Sequence, residues 1–168
     1  YFALLTLNYI SHPNPTRTSF QPIPFYTNNI WEAPALGRVV AFSSTFWMMM
    51  QQERPERQVT FSSHSMSFKA LAEVGFWQDN IVSEDSRIFW QCYNFFDGNY
   101  EVVPLLYPIS MDAAVDKTFW KTMKVLYKQQ RRWGYGVENV PYFLFGFIKN
   151  NTIPKFKKWR YGFMIIEG

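Results

Sequence analysis

The chain has 168 residues, a mass of 20.0 kDa and a formal net charge of +4, from 17 Lys and Arg against 13 Asp and Glu. Its content of 48% apolar and 20% aromatic residues excludes a disordered chain, suits one modest domain, and gives more rings than a core of this size needs. The single cysteine, Cys92, excludes an internal disulfide, and with only His12 and His64 beside it no Cys/His zinc site is expected.

The chain begins in an apolar run that predicts the end of a buried helix or strand over residues 1–10. The longest stretch without a charged residue, 1–16, is shorter than the roughly 20 apolar residues of a membrane-spanning helix and contains two prolines. We therefore expect no complete membrane span. Because the sequence lacks an initiator Met and ends just after the apolar residues 163–166, we expect it to be a piece of a longer polypeptide.

Alternating strands and helices are predicted along the chain. The expected strands cover residues 18–24, 58–62 and 99–106, and the expected helices cover residues 33–52, 67–74 and 116–133. Gly75 falls at a helix C-cap, and Pro104 marks its strand as an edge strand or a bulged one. The longest predicted helix carries an apolar stripe at three-and-four spacing, formed by Val39, Phe42, Phe46, Met49 and Met50.

A further helix is predicted to start with two acidic residues. Ser83 is a suitable N-cap, and Glu84 and Asp85 fall in the first turn, where the helix dipole favours negative charge. One interpretation is that both acids only stabilise the helix start. The other is that a carboxylate held there and facing a cleft acts as a general base towards a substrate hydroxyl.

The end of the helix predicted over residues 116–133 carries a second polar group of side chains. Gln129, Arg132 and Trp133 share one side, and they could bind a diphosphate beside a sugar through forked guanidinium donors, an amide and a flat ring. Alternatively, Arg132 satisfies helix carbonyls and Trp133 belongs to the core. Basic residues recur along the same helix in a stripe that is typical of a solvated face: Lys117, Lys121, Lys124, Lys128 and Arg131.

After Gly134 the chain becomes apolar, aromatic and basic. A dense apolar run at residues 140–148 is followed by Lys149, Lys155, Lys157, Lys158 and Arg160. Rings on one side and cations on the other suit a segment that lies on an anionic membrane surface. Basic residues mixed with rings also suit single-stranded nucleic acid, but the closely spaced phenylalanines favour the membrane.

The two motifs together resemble a known family. Residues 83–85 read Ser-Glu-Asp, and some 44 positions later comes Gln-Gln-Arg-Arg-Trp at residues 129–133. This combination resembles the C-terminal half of processive family 2 glycosyltransferases of the cellulose synthase and hyaluronan synthase kind. The resemblance implies an α/β fold, a partial GT-A type domain with additional interfacial helices at the C-terminus. Residues 1–134 would be the acceptor-side half of that domain, and residues 135–168 an interfacial segment leading towards a transmembrane span.

The resemblance also implies roles for individual residues. Asp85 would be the catalytic base. Four residues would bind the donor diphosphate and the acceptor sugar: Glu84, Gln129, Arg132 and Trp133. Ser63 and His64 would belong to a loop near the acceptor, although this loop lacks the glycine and cysteine that are usual in the family.

Substrates and partners are implied in the same way. The full-length parent would be an inverting enzyme of polysaccharide synthesis that transfers a hexose from a nucleotide sugar, a UDP-sugar, to a glycan acceptor. It would act at the cytoplasmic face of a membrane, with lipids and its own N-terminal half as further partners and no nucleic acid. Because no Asp-x-Asp occurs here, we expect no metal or cofactor in this chain, Mg²⁺ or Mn²⁺ in the parent, and little activity of the chain alone. The alternative is a non-catalytic aromatic and basic module that binds single-stranded nucleic acid or glycan.

Overall fold

Seven helices and three strands form the described part of the chain. A computed structural model describes the backbone of residues 1–167 and the side chains of residues 1–164, so Gly168, the end of the predicted interfacial segment, lies outside it. The helices are α1 Phe2–Ser11, α2 Ala35–Gln52, α3 Phe68–Glu73, α4 Glu84–Phe95, α5 Phe119–Gly134, α6 Asn139–Lys149 and α7 Lys155–Glu167. The strands are β1 Thr18–Phe25, β2 Ser65–Met66 and β3 Glu101–Ser110, and short 3-10 turns lie at Pro15–Arg17, Pro55–Arg57 and Tyr135–Glu138. The predicted α/β class is confirmed.

The three strands form one sheet in the order β2-β1-β3, with β1 antiparallel to β2 and parallel to β3. The register between β1 and β3 shifts between Gln21 and Ile23, beside Pro104, which lacks the N–H that a regular ladder needs. Gln52 at the end of α2 bridges this irregularity. Its side-chain amide donates to the Gln21 carbonyl oxygen at 2.7 Å and accepts the N–H of Leu106 at 3.0 Å. The predicted irregularity at Pro104 is therefore confirmed.

The main core forms around α4, whose buried residues are Arg87, Ile88, Phe89, Trp90, Cys92 and Tyr93. Trp90 stacks on Phe143 of α6 with ring centroids 4.3 Å apart, and Tyr161 of α7 meets the Trp90 ring edge-on at 5.2 Å. Such aromatic pairs contribute about 0.5–1.5 kcal/mol each beyond the burial of their area. The packing of these rings therefore fixes α4, and with it the acidic helix start, against α6 and α7.

The strand predicted over residues 58–62 is wrong. This segment is a loop because the buried side chain of Gln21 occupies its polar groups. The Oε1 atom of Gln21 accepts the N–H of Phe61 at 2.9 Å, and its Nε2 donates to the carbonyl oxygen of Ser62 at 3.2 Å. The pairing with β1 is made by β2 instead. Residues 1–10 are helical, as one of the two alternatives predicted, but α1 contains no buried residue.

The apolar stripe of α2 is exposed rather than packed on the core. Val39, Phe42 and Phe46 are between 54% and 64% exposed. The opposite side of the helix, which carries Gly37, Ala41, Thr45, Met48 and Gln52, is buried. Small residues there allow close approach, and Thr45 Oγ1 donates to the carbonyl oxygen of Pro24 in β1 at 2.8 Å. The helix was predicted correctly, but its apolar face lies uncovered in the described part of the chain.

The basic stripe of α5, which includes Lys117 just before the helix, is solvated as predicted, since all five of its side chains are exposed. The helix begins at Phe119 because the side chain of Thr118 accepts the N–H of Lys121. Only Thr122 and Leu126 of this helix are buried.

The C-terminal helices use some of their cations internally. Lys157 Nζ donates to the carbonyl oxygen of Gly98 at 2.9 Å, and Lys158 Nζ donates to the carbonyl oxygens of Phe147 and Asn150 at the end of α6. Lys149 and Lys155 remain exposed. Within the described residues, no helix combines the length and the apolar composition that crossing a bilayer requires.

Gly98→Ala should destabilise the fold more than Gly75→Ala. Both glycines have positive φ, +75° and +83°, but a β-carbon at position 98 would lie 3.2 Å from Ile153 and 3.3 Å from Tyr93, whereas position 75 has no atom within 4 Å. We expect a loss of about 1 kcal/mol for Gly75→Ala from backbone conformation alone, and about 2 kcal/mol or more for Gly98→Ala. Thermal denaturation measures both, and equal losses would contradict the role of packing at Gly98.

Candidate functional site

The two acidic residues lie in the first turn of α4, as predicted. Ser83 occupies the N-cap position without capping the helix, because its hydroxyl donates to Glu138 Oε1 at 2.8 Å. Asp85 Oδ1 accepts the N–H of Ser86 at 2.8 Å, while the side chain of Glu84 is exposed. Asp85 thus satisfies one donor of its own helix and keeps acceptor capacity free for another group.

Burial raises the pKa of Asp85 above the usual range for an aspartate. The negative charge of Glu84 acts in the same direction, whereas the Ser86 N–H and His64 favour the ionised form. A carboxyl with a raised pKa is a stronger base once it is ionised, which is what removal of a hydroxyl proton needs.

The loop that carries Ser63 and His64 lies against the start of α4. Thr60 Oγ1 donates to the backbone oxygen of Asp85 at 2.6 Å. His64 Nδ1 bonds to the Phe61 carbonyl oxygen at 2.8 Å, and the His64 ring interacts electrostatically with Asp85. Burial lowers the pKa of His64, and the bond to Phe61 and the charge of Asp85 only partly oppose this. The predicted acceptor loop and the predicted base are thus brought together, although Ser63 itself is exposed.

The second motif is placed differently. Gln129 and Trp133 line a small cavity between α2 and α5, with Gly37, Ala41 and Ala113 among the other residues of its wall. The space open to the centre of a water molecule is about 10 Å³, enough for roughly one water and too small for a sugar ring.

Arg132 does not line this cavity. Its side chain is exposed, and no bond between it and a helix carbonyl is found in the described part of the chain. Trp133 is 43% exposed, so it is not a core residue. Arg132 therefore does not cap the helix, and Trp133 does not fill the core, as the alternative interpretation had it. Both side chains remain accessible to a ligand.

A buried polar network joins the start of α4 to the turn that follows the second motif. Arg87 Nε donates to Asn139 Oδ1 at 2.6 Å, and Nη2 donates to the carbonyl oxygen of Glu138 at 3.2 Å. The guanidinium also lies 4.0 Å from the ring centroid of Tyr142. Because Glu138 follows Trp133 by five positions, the network ties the two motifs to one another. Arg87, Glu138, Asn139 and Tyr142 were not predicted from the sequence; the available signal was a charged side chain, Arg87, directly before the apolar residues 88–90 of the helix.

The described residues contain no cluster of three His, Cys, Asp or Glu side chains that could hold a metal ion. Cys92 is buried, and burial raises the pKa of its thiol to about 12, so it stays a neutral thiol at pH 7.

Asp85→Asn should make the chain more stable at pH 7. Since burial raises the pKa of Asp85 in the folded state, its ionised form opposes folding at every pH above that value, and the amide removes this cost. At about pH 3, below the ordinary pKa of an aspartate, the carboxyl is protonated in the folded state and the difference from wild type should shrink. Thermal denaturation at both pH values checks this, with Glu84→Gln, at the exposed neighbour, as control. A loss of stability at pH 7 would instead identify Asp85 as a helix-stabilising residue.

Comparison with known proteins shows the family of the chain. No significant match was found among curated proteins or solved structures. A family model described as glycosyl transferase family group 2 matches residues 4–165, nearly the whole chain. The mixed α/β fold with its small sheet is consistent with part of a GT-A glycosyltransferase domain. The chain therefore belongs to the family 2 glycosyltransferases.

Proposed function

We propose that this chain is the acceptor-side half of a membrane-bound, inverting glycosyltransferase of the cellulose synthase and hyaluronan synthase kind. The enzyme would transfer a hexose from a UDP-sugar to a growing glycan at the cytoplasmic face of a membrane. The observation that carries the proposal is Asp85: a carboxyl whose pKa burial raises, at the start of α4, beside the His64 loop and tied to the second motif through Ser83 and Glu138.

A single displacement follows from these residues. Asp85 removes the proton of the acceptor hydroxyl, the acceptor oxygen attacks the anomeric carbon, and the bond from that carbon to the diphosphate breaks with inversion. Arg132 supplies forked donors to the departing diphosphate, Gln129 adds an amide donor, and Trp133 offers a ring on which a sugar can stack. The exposure of Arg132 and Trp133 suits these roles. The cavity beside Gln129 has to widen when a sugar binds, because its present volume has room for only about one water.

One observation favours a second candidate. The basic stripe of α5 is exposed and is accompanied by two exposed rings, Trp120 at 79% and Tyr127 at 67%. Cations beside rings are the composition of a surface for single-stranded nucleic acid. A binding module of this kind would need neither Asp85 nor the network around Arg87.

In the enzyme that contains this chain, Asp85→Asn should lower turnover by at least about 10²-fold, because the amide cannot accept the acceptor proton. Binding of the nucleotide sugar should persist, since the fold around α4 does not depend on the charge. Lys121→Ala, on the solvated stripe, serves as control and should keep wild-type turnover. Sugar transfer and donor binding are measured for each variant. Normal turnover of Asp85→Asn would overturn the proposal, and tight RNA binding abolished by Lys121→Ala would favour the binding module.

Membrane association is part of the proposal, and α7 supports it. Phe156, Trp159 and Phe163 are exposed at three-and-four spacing, and the last two rings stack with centroids 5.5 Å apart. Ile148 of α6 and the exposed Lys155 add apolar area and charge. An apolar ridge with a cation beside it suits the headgroup region of an anionic bilayer.

The double variant Phe156→Ser and Trp159→Ser should weaken binding of the chain to anionic liposomes by about tenfold or more, given about 1.5–3 kcal/mol for each ring that leaves water. These side chains are exposed, so the substitutions spare the core, whereas deleting the segment would remove buried Phe143 and Phe147. Phe68→Ser, at an equally exposed ring on α3, is the matched control. Co-sedimentation at low and high salt measures the effect, and equal binding of all three proteins would contradict a membrane contact through α7.

A further inference from the structure

A buried acceptor atom without a partner lies in the loop that contacts the start of α4. His64 Nε2 is shielded from solvent and has no hydrogen-bond partner among the described residues. The other ring nitrogen, Nδ1, bonds to the Phe61 carbonyl oxygen at 2.8 Å. Because a carbonyl oxygen only accepts, Nδ1 carries the hydrogen, and in the neutral ring Nε2 is then a lone pair that lacks a donor.

The position of this ring is fixed by its loop. The N–H of His64 bonds to the Phe61 carbonyl oxygen, and the N–H of Phe61 bonds to Gln21 Oε1. The next residue, Ser65, pairs with Phe20 of β1. On the other side Thr60 holds the backbone of Asp85. The imidazole therefore stays beside the first turn of α4.

Among the charged groups around this pair, Asp85 is the candidate for the missing donor. Glu84 is exposed on the same turn as Asp85, the carboxylate of Glu138 accepts from Ser83, and the guanidinium of Arg87 is engaged with Asn139 and Glu138. Asp85 lies close enough to His64 for the two side chains to interact electrostatically. An ionised carboxylate has no hydrogen to donate, but a carboxylate that has just removed a proton does.

We propose that His64 is a positioning residue for the proton transfer, and that its Nε2 accepts a hydrogen bond from the carboxylic acid formed on Asp85. This inference rests on the proposed function. The acceptor O–H bond breaks and its proton passes to Asp85, while the acceptor oxygen bonds to the anomeric carbon and the diphosphate leaves with the bonding electrons. The new Asp85 O–H then points to Nε2. The Nε2 lone pair has no hydrogen-bond donor before the reaction and has one after it. The bond from Asp85 to Nε2 therefore stabilises the proton transfer and not the binding of substrate.

Two variants separate the nitrogens of this ring. Asn in place of His64 puts an amide near Nδ1, so it keeps a donor for Phe61 but lacks Nε2; Gln reaches the position of Nε2. In the enzyme that contains this chain, we expect His64→Asn to lower kcat about tenfold or more without changing KM for either substrate. His64→Gln should recover a large part of that loss. Asp85→Asn is measured alongside.

The pH profile of kcat distinguishes this hydrogen bond from a purely electrostatic role of His64, because the two roles shift the profile in opposite directions. An acceptor at Nε2 stabilises protonated Asp85 and so raises the pKa of Asp85. His64→Asn lacks this acceptor, so the acid limb of its kcat profile should move to lower pH. If His64 acted only through its positive charge, which favours ionised Asp85, the limb would move to higher pH, and the inference would be overturned.

Equal losses in the Asn and Gln variants, or an unchanged kcat in His64→Asn, would also overturn it. If His64→Asn fails to fold, His64→Gln decides, because near-normal kcat supports the inference and a loss as deep as that of Asp85→Asn contradicts it. Wild-type turnover in Asp85→Asn would contradict the proposed function itself. Loss in Asp85→Asn with normal behaviour of both His64 variants would sink this inference alone.

Discussion

The geometry of the site depends on one buried cation. Arg87 is 7% exposed, and its guanidinium donates to Asn139, Gln78 and the carbonyl oxygen of Glu138 while it lies over the ring of Tyr142. These partners are dipoles and a ring, so each one helps to offset the desolvation of the charge. Loss of any partner would leave part of a buried charge unpaired. The first turn of α4 and the turn after the second motif are therefore held as one unit, and Asp85 takes its place from that constraint.

The same burial that organises the site makes it costly. Burial raises the pKa of Asp85 and lowers that of His64, so each group resists the charged form that it would adopt in water. A chain selected for stability alone would have little reason to place a carboxyl and an imidazole with an idle nitrogen side by side. Unsatisfied groups of this kind concentrate where a ligand or a reaction completes them, and the two residues meet on the loop and the helix start that the motifs single out.

Local rules predicted much of this fold. Gly75 after α3, the three-and-four spacing of α2 and the proline in β3 each act within a few residues, and their elements are where these signals place them. The failures involve distant partners. The loop at residues 58–62 is set by Gln21, some forty residues earlier, and the exposed face of α2 depends on which side meets β1. Periodicity shows which face of a helix is apolar, but it does not show what covers that face.

For the site, the residue types could be read from the sequence, and the family resemblance indicated that the two motifs act together. Neither predicted which side chains contact each other. The loop of Thr60 and His64, which contacts Asp85 through Thr60, leads into β2, and β2 pairs with β1 through only two residue pairs. The hydrogen bond between Arg87 and Asn139 joins positions 52 residues apart. Such long-range contacts are encoded by complementary polar groups, which composition and spacing do not reveal.

The two exposed apolar faces differ in charge, and this difference bears on the proposed function. On α7 the rings have the exposed Lys155 beside them, as a bilayer surface with anionic headgroups requires. On α2 the stripe of Val39, Phe42 and Phe46 has Arg38 as a neighbour, but that guanidinium is turned to the carbonyl oxygens of Ala33 and Trp31. An apolar face whose nearby cation is already engaged fits a protein surface better than lipid headgroups. Under the proposed function, α2 would then face the donor half of the same polypeptide, and α7 the membrane.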